Sequence, residues 1–198
     1  MTASDTGRSY HSELRAEQAE QTRQGILRAL AAVMADGPAA VTIPAVAEAA
    51  GVSIPTVYRH FGDKAGLISA MVPFVGERLG MADEVPPADL SEVDQAVRRL
   101  FHRLDQADPL IRAALASGAS AEVRRESVEV RMEMLDDMLA GVALELDATA
   151  RERLARVIVV MTCSDSLRLW QDRFDLDVDA VADHVSWAIR GLIAGVGQ

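Results

Sequence analysis

The chain has 198 residues, of which 49% are hydrophobic and 25% are charged, and its net charge is −10. This composition is typical of one globular unit, or of a small domain joined to a larger one. The single cysteine, Cys163, excludes an internal disulfide framework, and the longest apolar run, at 157–161, is too short to span a membrane. Because the N-terminus also lacks the apolar segment of a signal peptide, we expect a cytoplasmic protein.

The charge is unevenly distributed along the chain. Residues 1–66 carry six basic and seven acidic side chains, so this third is close to neutral, and the remainder carries most of the negative charge. An acidic protein repels polyanions, and bulk charge alone therefore argues against a nucleic-acid partner. Only the local placement of basic residues can argue for one.

The first third of the chain is predicted to form three helices. Apolar residues at helical spacing indicate a first helix around 26–34, which Gly37 can end. Thr42 is expected to cap a short second helix that ends at Gly51, and Ser53 to cap a third. Each of the last two helices has a proline in its first turn, where a missing N–H is harmless.

The rest of the chain is also predicted to be helical, because it contains no long alternation of apolar and polar residues, as a strand would have, and no internal repeat. Asp63 is expected to cap a fourth helix that continues through Met71 and beyond. Acidic residues in 122–137 alternate with Arg124, Arg125 and Arg131, a pattern typical of a solvated helix face. The further helices are predicted at about 90–104, 121–139, 149–174 and 178–193.

The segment 46–57 has the spacing of a helix-turn-helix. Its small and apolar positions are Val46, Ala47, Ala50, Gly51, Val52 and Val57. In that motif the second helix lies in the major groove, with its N-terminal residues against base edges. Spacing alone also fits a small-residue helical hairpin in an ordinary core, so both interpretations stay open at this point.

The third helix and its surroundings carry side chains that are suited to DNA. Ile54 and Pro55 can pack on a thymine methyl, and Arg59 can donate to guanine O6 and N7. Tyr58 suits a phosphate contact, and Thr42 can offer its hydroxyl and backbone N–H to another phosphate. The predicted DNA-binding residues are Thr42, Ser53, Ile54, Pro55, Thr56, Tyr58, Arg59, His60 and Lys64.

A longer stretch at 41–72 reads VTIPAVAEAAGVSIPTVYRHFGDKAGLISAMV. With its Thr42 start, its Ala-Gly-Val-Ser turn at 50–53 and the His60-Phe61 pair, it resembles the DNA-binding domain of TetR-type transcriptional regulators. The resemblance extends over roughly residues 23–72, about a quarter of the chain. It implies an all-α protein with a three-helix DNA-binding domain at 1–66 and a helical ligand-binding and dimerisation domain at 67–198.

In function, the resemblance implies a homodimeric repressor that binds a near-palindromic DNA operator and is released by a small molecule of unknown identity. Pro44 departs from the family pattern, because many relatives carry a basic or polar residue there and a proline cannot donate a hydrogen bond. Base reading should therefore depend more on the third helix, with help from Arg8, Arg15 and Arg23. Pro44 and the neutral charge also keep a second class open: a helical small-molecule or partner-binding protein whose helix-turn-helix no longer binds DNA.

Two helices near the C-terminus are candidates for a dimer interface. The region 154–163 is apolar on every face, which indicates burial against its own core on one side and a partner on another. The alternative is that both helices are core of a monomer. The predicted interface residues are Val157, Met161, Val181, Val185, Ala188 and Leu192.

The body is expected to hold a pocket for an apolar ligand with a few polar groups. Methionines suit such an adaptable cavity, although an ordinary helical core would explain the same residues. The predicted pocket residues are Phe74, Leu100, Phe101, Leu104, Met132, Leu135, Met138, Met161 and Trp170.

An enzyme is not expected from this sequence. The four histidines are scattered, and no HExxH motif, cysteine pair or glycine-rich phosphate loop is present. We accordingly expect no catalytic residues, no metal and no cofactor.

Overall fold

The computed structural model describes residues 4–37, 40–81, 87, 89, 91–117, 121–142 and 146–196, and within these ranges the chain is all-α, as predicted. No helix in the same ranges is long and apolar enough to cross a membrane. The helices are α1 (Ser4–Ala35), α2 (Ile43–Ala49), α3 (Ile54–Phe61), α4 (Lys64–Ser69), α5 (Met71–Arg78), α6 (Val93–Asp105), α7 (Pro109–Ala116), α8 (Ala121–Val142), α9 (Ala148–Met161), α10 (Ser164–Phe174) and α11 (Val178–Val196).

The head of the molecule consists of α1, α2 and α3, packed around one small core. Ile26 and Leu30 of α1 are fully buried, together with Val46 of α2 and Val57 of α3. The turn between α2 and α3 depends on Gly51, whose φ of 66° is a left-handed conformation that suits glycine. The helix-turn-helix arrangement predicted from the spacing is therefore present.

The predicted fourth helix is divided into α4 and α5. Pro73 lies in the first turn of α5 and has no N–H to donate to the carbonyl of Ser69, so a continuous helix would lose a hydrogen bond there. In addition, α4 passes through the predicted domain boundary between residues 66 and 67. The head thus joins the body through a helix and not through a flexible linker.

The prediction of one continuous helix at 149–174 was wrong, because the chain breaks between α9 and α10. The Thr162 hydroxyl donates to the carbonyl of Ile158 at 2.6 Å, and the Cys163 sulfur accepts the N–H of Ser166 at 3.4 Å. Side chains that bond to nearby backbone groups compete with the helical ladder and favour caps. The break places the C-terminal end of α9 at Thr162, inside the body.

In the body, α6 and α11 pack along each other. Arg98 of α6 pairs with Asp179 and Asp183 of α11, and Arg190 of α11 pairs with Asp94 of α6. On a different side, α8 packs against α9 and also contacts α4 and α5. The buried apolar residues of α6 and α11 include Val93, Val97, Phe101, Val181, Val185 and Ile189.

The other predicted helices of the body differ from the structure only by small shifts at their ends, whereas α1 begins at Ser4, well before the predicted start near residue 26. Asp89 accepts the backbone N–H of Ser91 at 2.7 Å, and this turn delays the start of α6 to Val93, whereas the predicted start at Leu90 lies outside the described residues. At their C-terminal ends, α8 and α11 continue slightly beyond the predicted positions.

Candidate nucleic-acid interface and effector cavity

Three side-chain caps fix the starts of the helices around the turn. Thr42 Oγ1 accepts the N–H of Ala45 at 3.2 Å, and Ser53 Oγ accepts the N–H of Thr56 at 3.3 Å. Asp63 Oδ1 accepts the N–H of Gly66 at 2.8 Å. Because each cap satisfies a backbone donor that the helix leaves free, α2, α3 and α4 begin at defined residues.

One face of α3 is exposed and carries the side chains predicted to read DNA. Ile54 is 41% exposed and Tyr58 is 48% exposed, and Pro55 and Arg59 are exposed beside them. These four positions lie on one side of a helix, whereas Val57, on the opposite side, is fully buried in the head. No acidic residue occurs in α3, which carries Arg59, and Lys64 is exposed at the start of α4, next to the exposed Asp63 cap.

Two of the predicted DNA contacts are engaged inside the head. Thr56 is half-buried, and its Oγ1 lies 2.9 Å from Ser53 Oγ, so its hydroxyl belongs to the cap. The prediction that the backbone N–H of Thr42 is offered to a phosphate was wrong, because this N–H donates to the carbonyl of Ala40 at 2.9 Å. The Ser53 side chain is exposed but also serves as the cap of α3.

His60 lies on the side of α3 that faces α1. Its ring centroid is 6.1 Å from that of Phe61, and the Arg23 guanidinium lies 5.4 Å from the Phe61 ring centroid. Burial lowers the pKa of His60 below its usual value, and the charges of Arg59 and Arg23 lower it further. His60 is therefore mainly neutral at pH 7, and Arg23 holds α3 against α1.

Arg15 and Arg8 are the other arginines predicted to assist DNA binding. Arg15 already interacts with another residue of the chain. The side chain of Arg8 lies outside the described part of the structure.

Gly66 permits the close approach of α4 to the end of α3. A Cβ at this position would lie 2.1 Å from the carbonyl oxygen of Phe61, which no side chain could accommodate without a backbone shift. The sequence analysis missed this role. The available signal was a glycine inside a helix, three residues after the Asp63 cap.

A cavity of about 120 Å³ lies between α6, α8, α9 and α11. Three of the predicted pocket residues, Leu100, Leu135 and Met138, line it, together with Arg131 and Thr162. The lining is largely apolar with a few polar groups, which is the usual character of a small-molecule site. In the described ranges, no three His, Cys, Asp or Glu side chains converge in the way that a metal site needs.

The other predicted pocket residues do not line this cavity. Phe74 and Phe101 are buried in the core, and Leu104 lines a second depression of about 330 Å³ between α6, α7 and α10. Met132, Met161 and Trp170 are half-buried beside the core and line neither space. Helical spacing shows which residues point inward, but it does not show whether they meet packed atoms or a void.

Arg131 contradicts the prediction of a solvated face for its part of α8. Its guanidinium lines the cavity, and its Nη2 donates to Thr162 Oγ1 at 2.6 Å and to the Thr162 carbonyl at 3.3 Å. Burial lowers the pKa of Arg131 below its usual value. The sequence offered no clear signal for this, because Arg124 and Arg125 alternate with acids in the same way.

The predicted interface residues divide into two groups. Val181 and Val185 are fully buried where α11 packs in the body, so they are core and not surface that a partner could reach. Val157 and Leu192 are exposed, and Met161 and Ala188 are half-buried. Leu169 and Phe174 on α10 and Trp187 on α11 were not predicted for the interface, but they are apolar and exposed, and Trp187 is 72% exposed.

Comparisons with known proteins show which family and which structures this chain is similar to. Residues 26–71 match the family model described as bacterial regulatory proteins of the tetR family. No curated protein matches the chain.

Solved structures also match the chain over most of its length. A tetR-family transcriptional regulator from Streptomyces coelicolor is 19% identical, with a TM-score of 0.58 over 89% of this chain and 82% of that one. NalD, the secondary repressor of the MexAB-OprM multidrug efflux pump in Pseudomonas aeruginosa, is 22% identical, with a TM-score of 0.57 over 86% of this chain and 96% of that one. A TetR transcriptional regulator from Rhodococcus sp. RHA1 is 20% identical, with a TM-score of 0.53 over 88% of this chain and 98% of that one. The resemblance seen in the sequence is therefore confirmed: residues 26–71 match the N-terminal domain of the tetR family, and the chain as a whole shares the helical fold of these structures.

Proposed function

We propose that this protein is a homodimeric transcriptional repressor that binds a near-palindromic operator and releases it when a small molecule occupies the body. The family domain and the fold support a DNA-binding transcriptional regulator. The observation that carries the DNA-binding proposal is the exposed face of α3, formed by Ile54, Pro55, Tyr58 and Arg59. The Ser53 cap and the buried Val57 hold this helix in place. In a helix-turn-helix, such a face is the one that lies in the major groove.

The proposed dimer uses the outer surface of α10 and α11. Leu169, Phe174 and Trp187 leave large apolar side chains in water on these two helices, and Leu192 adds to them. Exposed apolar patches on a folded chain commonly mark an interaction site. A two-fold dimer would present its two α3 helices to successive major grooves about 34–36 Å apart, or to a multiple of that spacing.

The proposed switch connects the cavity to the head through α8. This helix supplies Arg131, Leu135 and Met138 to the cavity, and it also contacts α4 and α5. Since α4 begins at the Asp63 cap directly after α3, a shift of α8 on ligand binding would move the head. A ligand can drive this change only to the extent that it binds one arrangement more tightly than the other.

In-vitro selection from random duplex DNA tests the proposal. The wild type should enrich a palindromic motif, and a Tyr58→Ala, Arg59→Ala double variant should lose it. Arg156→Ala is the matched control, because Arg156 is an exposed arginine of α9 that lies outside the head. Failure of the wild type to enrich any motif at low salt, also after refolding without small molecules, would refute DNA binding and favour a ligand-binding protein with an inactive head.

A further inference from the structure

The cavity contains a cation without an anionic partner. Within the described ranges, Arg131 donates only to Thr162, and no carboxylate pairs with its guanidinium. Arg103 also lines the cavity but already interacts with another residue of the chain. Arg131 is therefore the group of this cavity whose positive charge a bound anion could pair with.

A purely structural role does not use the whole guanidinium. Thr162 ends α9, so Arg131 places a positive charge at the negative end of that helix and satisfies its last carbonyl. That role occupies Nη2 only. No side-chain nitrogen or oxygen of the described residues is both fully buried and without a partner, so Nε and Nη1 of Arg131 are open to the cavity or to water.

The remaining lining favours an apolar molecule. Leu100, Leu135, Ile158 and Ile189 contribute hydrocarbon surface to the same cavity. A neutral apolar ligand would strip water from the Arg131 charge and leave it unpaired, which is costly. A ligand with an anionic group on an apolar body would do both: the anionic group would pair with the Arg131 charge, and the apolar body would fill the apolar part of the cavity.

The size of the cavity limits the body of the ligand. A cavity of about 150 Å³ in another protein accommodates benzene, and the volume here is about 120 Å³. A chain or ring of about six carbons therefore matches the volume of this cavity. Met134 and Met138 lie in the lining, and their flexible side chains can adjust to differences in shape.

We propose that the effector is a small amphipathic monoanion, a carboxylate on a short apolar body, whose carboxylate accepts hydrogen bonds from the free N–H groups of Arg131. This inference rests on the proposed function in that it names the chemical class of the effector in that same cavity. Binding can nevertheless be measured on the protein alone, so its failure is separable from a failure to bind DNA.

Titration calorimetry at pH 7 tests the proposal with two matched pairs of probes, hexanoate with hexanamide and benzoate with benzamide. Each pair keeps the apolar body and changes only the charge. In the wild type, the carboxylate should bind about tenfold more tightly than its amide, or better, since charge-assisted hydrogen bonds are the stronger ones. In Arg131→Gln that preference should vanish, whereas Arg131→Lys should keep part of it.

Arg125→Gln is the matched control, because Arg125 is an exposed arginine on the same helix and should leave the preference unchanged. Circular dichroism of each variant shows whether it is folded. If Arg131 only stabilised the fold, its loss would weaken the acid and the amide alike. Equal binding of acid and amide to the wild type, no binding of either carboxylate at millimolar concentration, or a preference that survives Arg131→Gln would each overturn the proposal.

Discussion

At the scale of single residues, Arg59 is the side chain on which base reading should depend most. It is exposed on α3, and a guanidinium can donate two hydrogen bonds to one guanine. We expect Arg59→Ala to weaken operator binding by about 1–3 kcal/mol and to relax the preference at one base pair in each half-site. Electrophoretic mobility shifts with the selected operator and its single-base variants measure both effects. An equal loss on every sequence would mean that Arg59 contacts phosphate instead.

His60 should make the stability of the protein depend on pH. Its pKa is lowered in the folded state, mainly by burial, so below about pH 6.5 the unfolded chain takes up this proton more readily than the folded one. The contribution of neutral His60 to the stability of the folded state is therefore complete above about pH 6.5, and it is lost as the pH falls below that value. We expect thermal unfolding curves to show a smaller decline in Tm from pH 7 to pH 5.5 in His60→Gln than in the wild type. An unchanged slope in His60→Gln would contradict the assignment.

At the scale of elements, the joint between α3 and α4 depends on Gly66. Gly66→Ala would place a Cβ against the Phe61 carbonyl, so we expect a loss of about 2 kcal/mol or more in the free energy of unfolding. Gly76 is the matched control, because it also lies inside a helix but has nothing within 4 Å of an added Cβ. Gly76→Ala should be neutral or stabilising by up to about 1 kcal/mol. Urea unfolding measures both, and equal effects would show that the α3–α4 joint can relax.

The elements also show what a sequence can and cannot predict. The starts of α2, α3 and α4 were predictable because each is decided by a local cap, at Thr42, Ser53 and Asp63. The break at Thr162 was not, since the apolar pattern continues across it and only side-chain bonds to the backbone interrupt the helix. For the same reason the cavity was only partly predicted. The contact of Arg131 with the cavity depends on where α9 ends, and that position depends on the tertiary structure.

At the scale of the whole molecule, the apolar surface of α10 and α11 should hold two copies together. We expect Trp187→Asp to raise the dimer dissociation constant by about 30-fold or more, because central tryptophans often dominate such interfaces. Val130→Asp is the matched control, since Val130 is also exposed and apolar but lies on α8. Sedimentation at a series of concentrations measures the dissociation constant. A wild type that stays monomeric at every concentration would exclude the proposed dimer.

The charge of the whole molecule leads to a further expectation. The net charge of −10 opposes DNA, so binding should depend strongly on the phosphate contacts that the head makes locally. The logarithm of operator affinity should fall linearly with the logarithm of salt concentration, with a slope of about −0.9 for each phosphate contacted. Lys64→Ala should reduce that slope by about one without changing the preferred sequence. A salt-independent affinity would be incompatible with a groove-binding head.

The two tryptophans of the chain lie on α10 and α11. Trp187 is exposed, and the ring centroid of Trp170 lies 5.1 Å from that of Phe174 and 5.6 Å from that of His184, with the rings tilted. Selective excitation of tryptophan therefore reports on this one surface, and the head contributes nothing to the emission. Water around Trp187 keeps its emission at long wavelength, whereas cover by a second copy would shift it to the blue. The unlabelled protein thus contains its own optical probe of association, and simple dilution would reveal at what concentration the two copies separate.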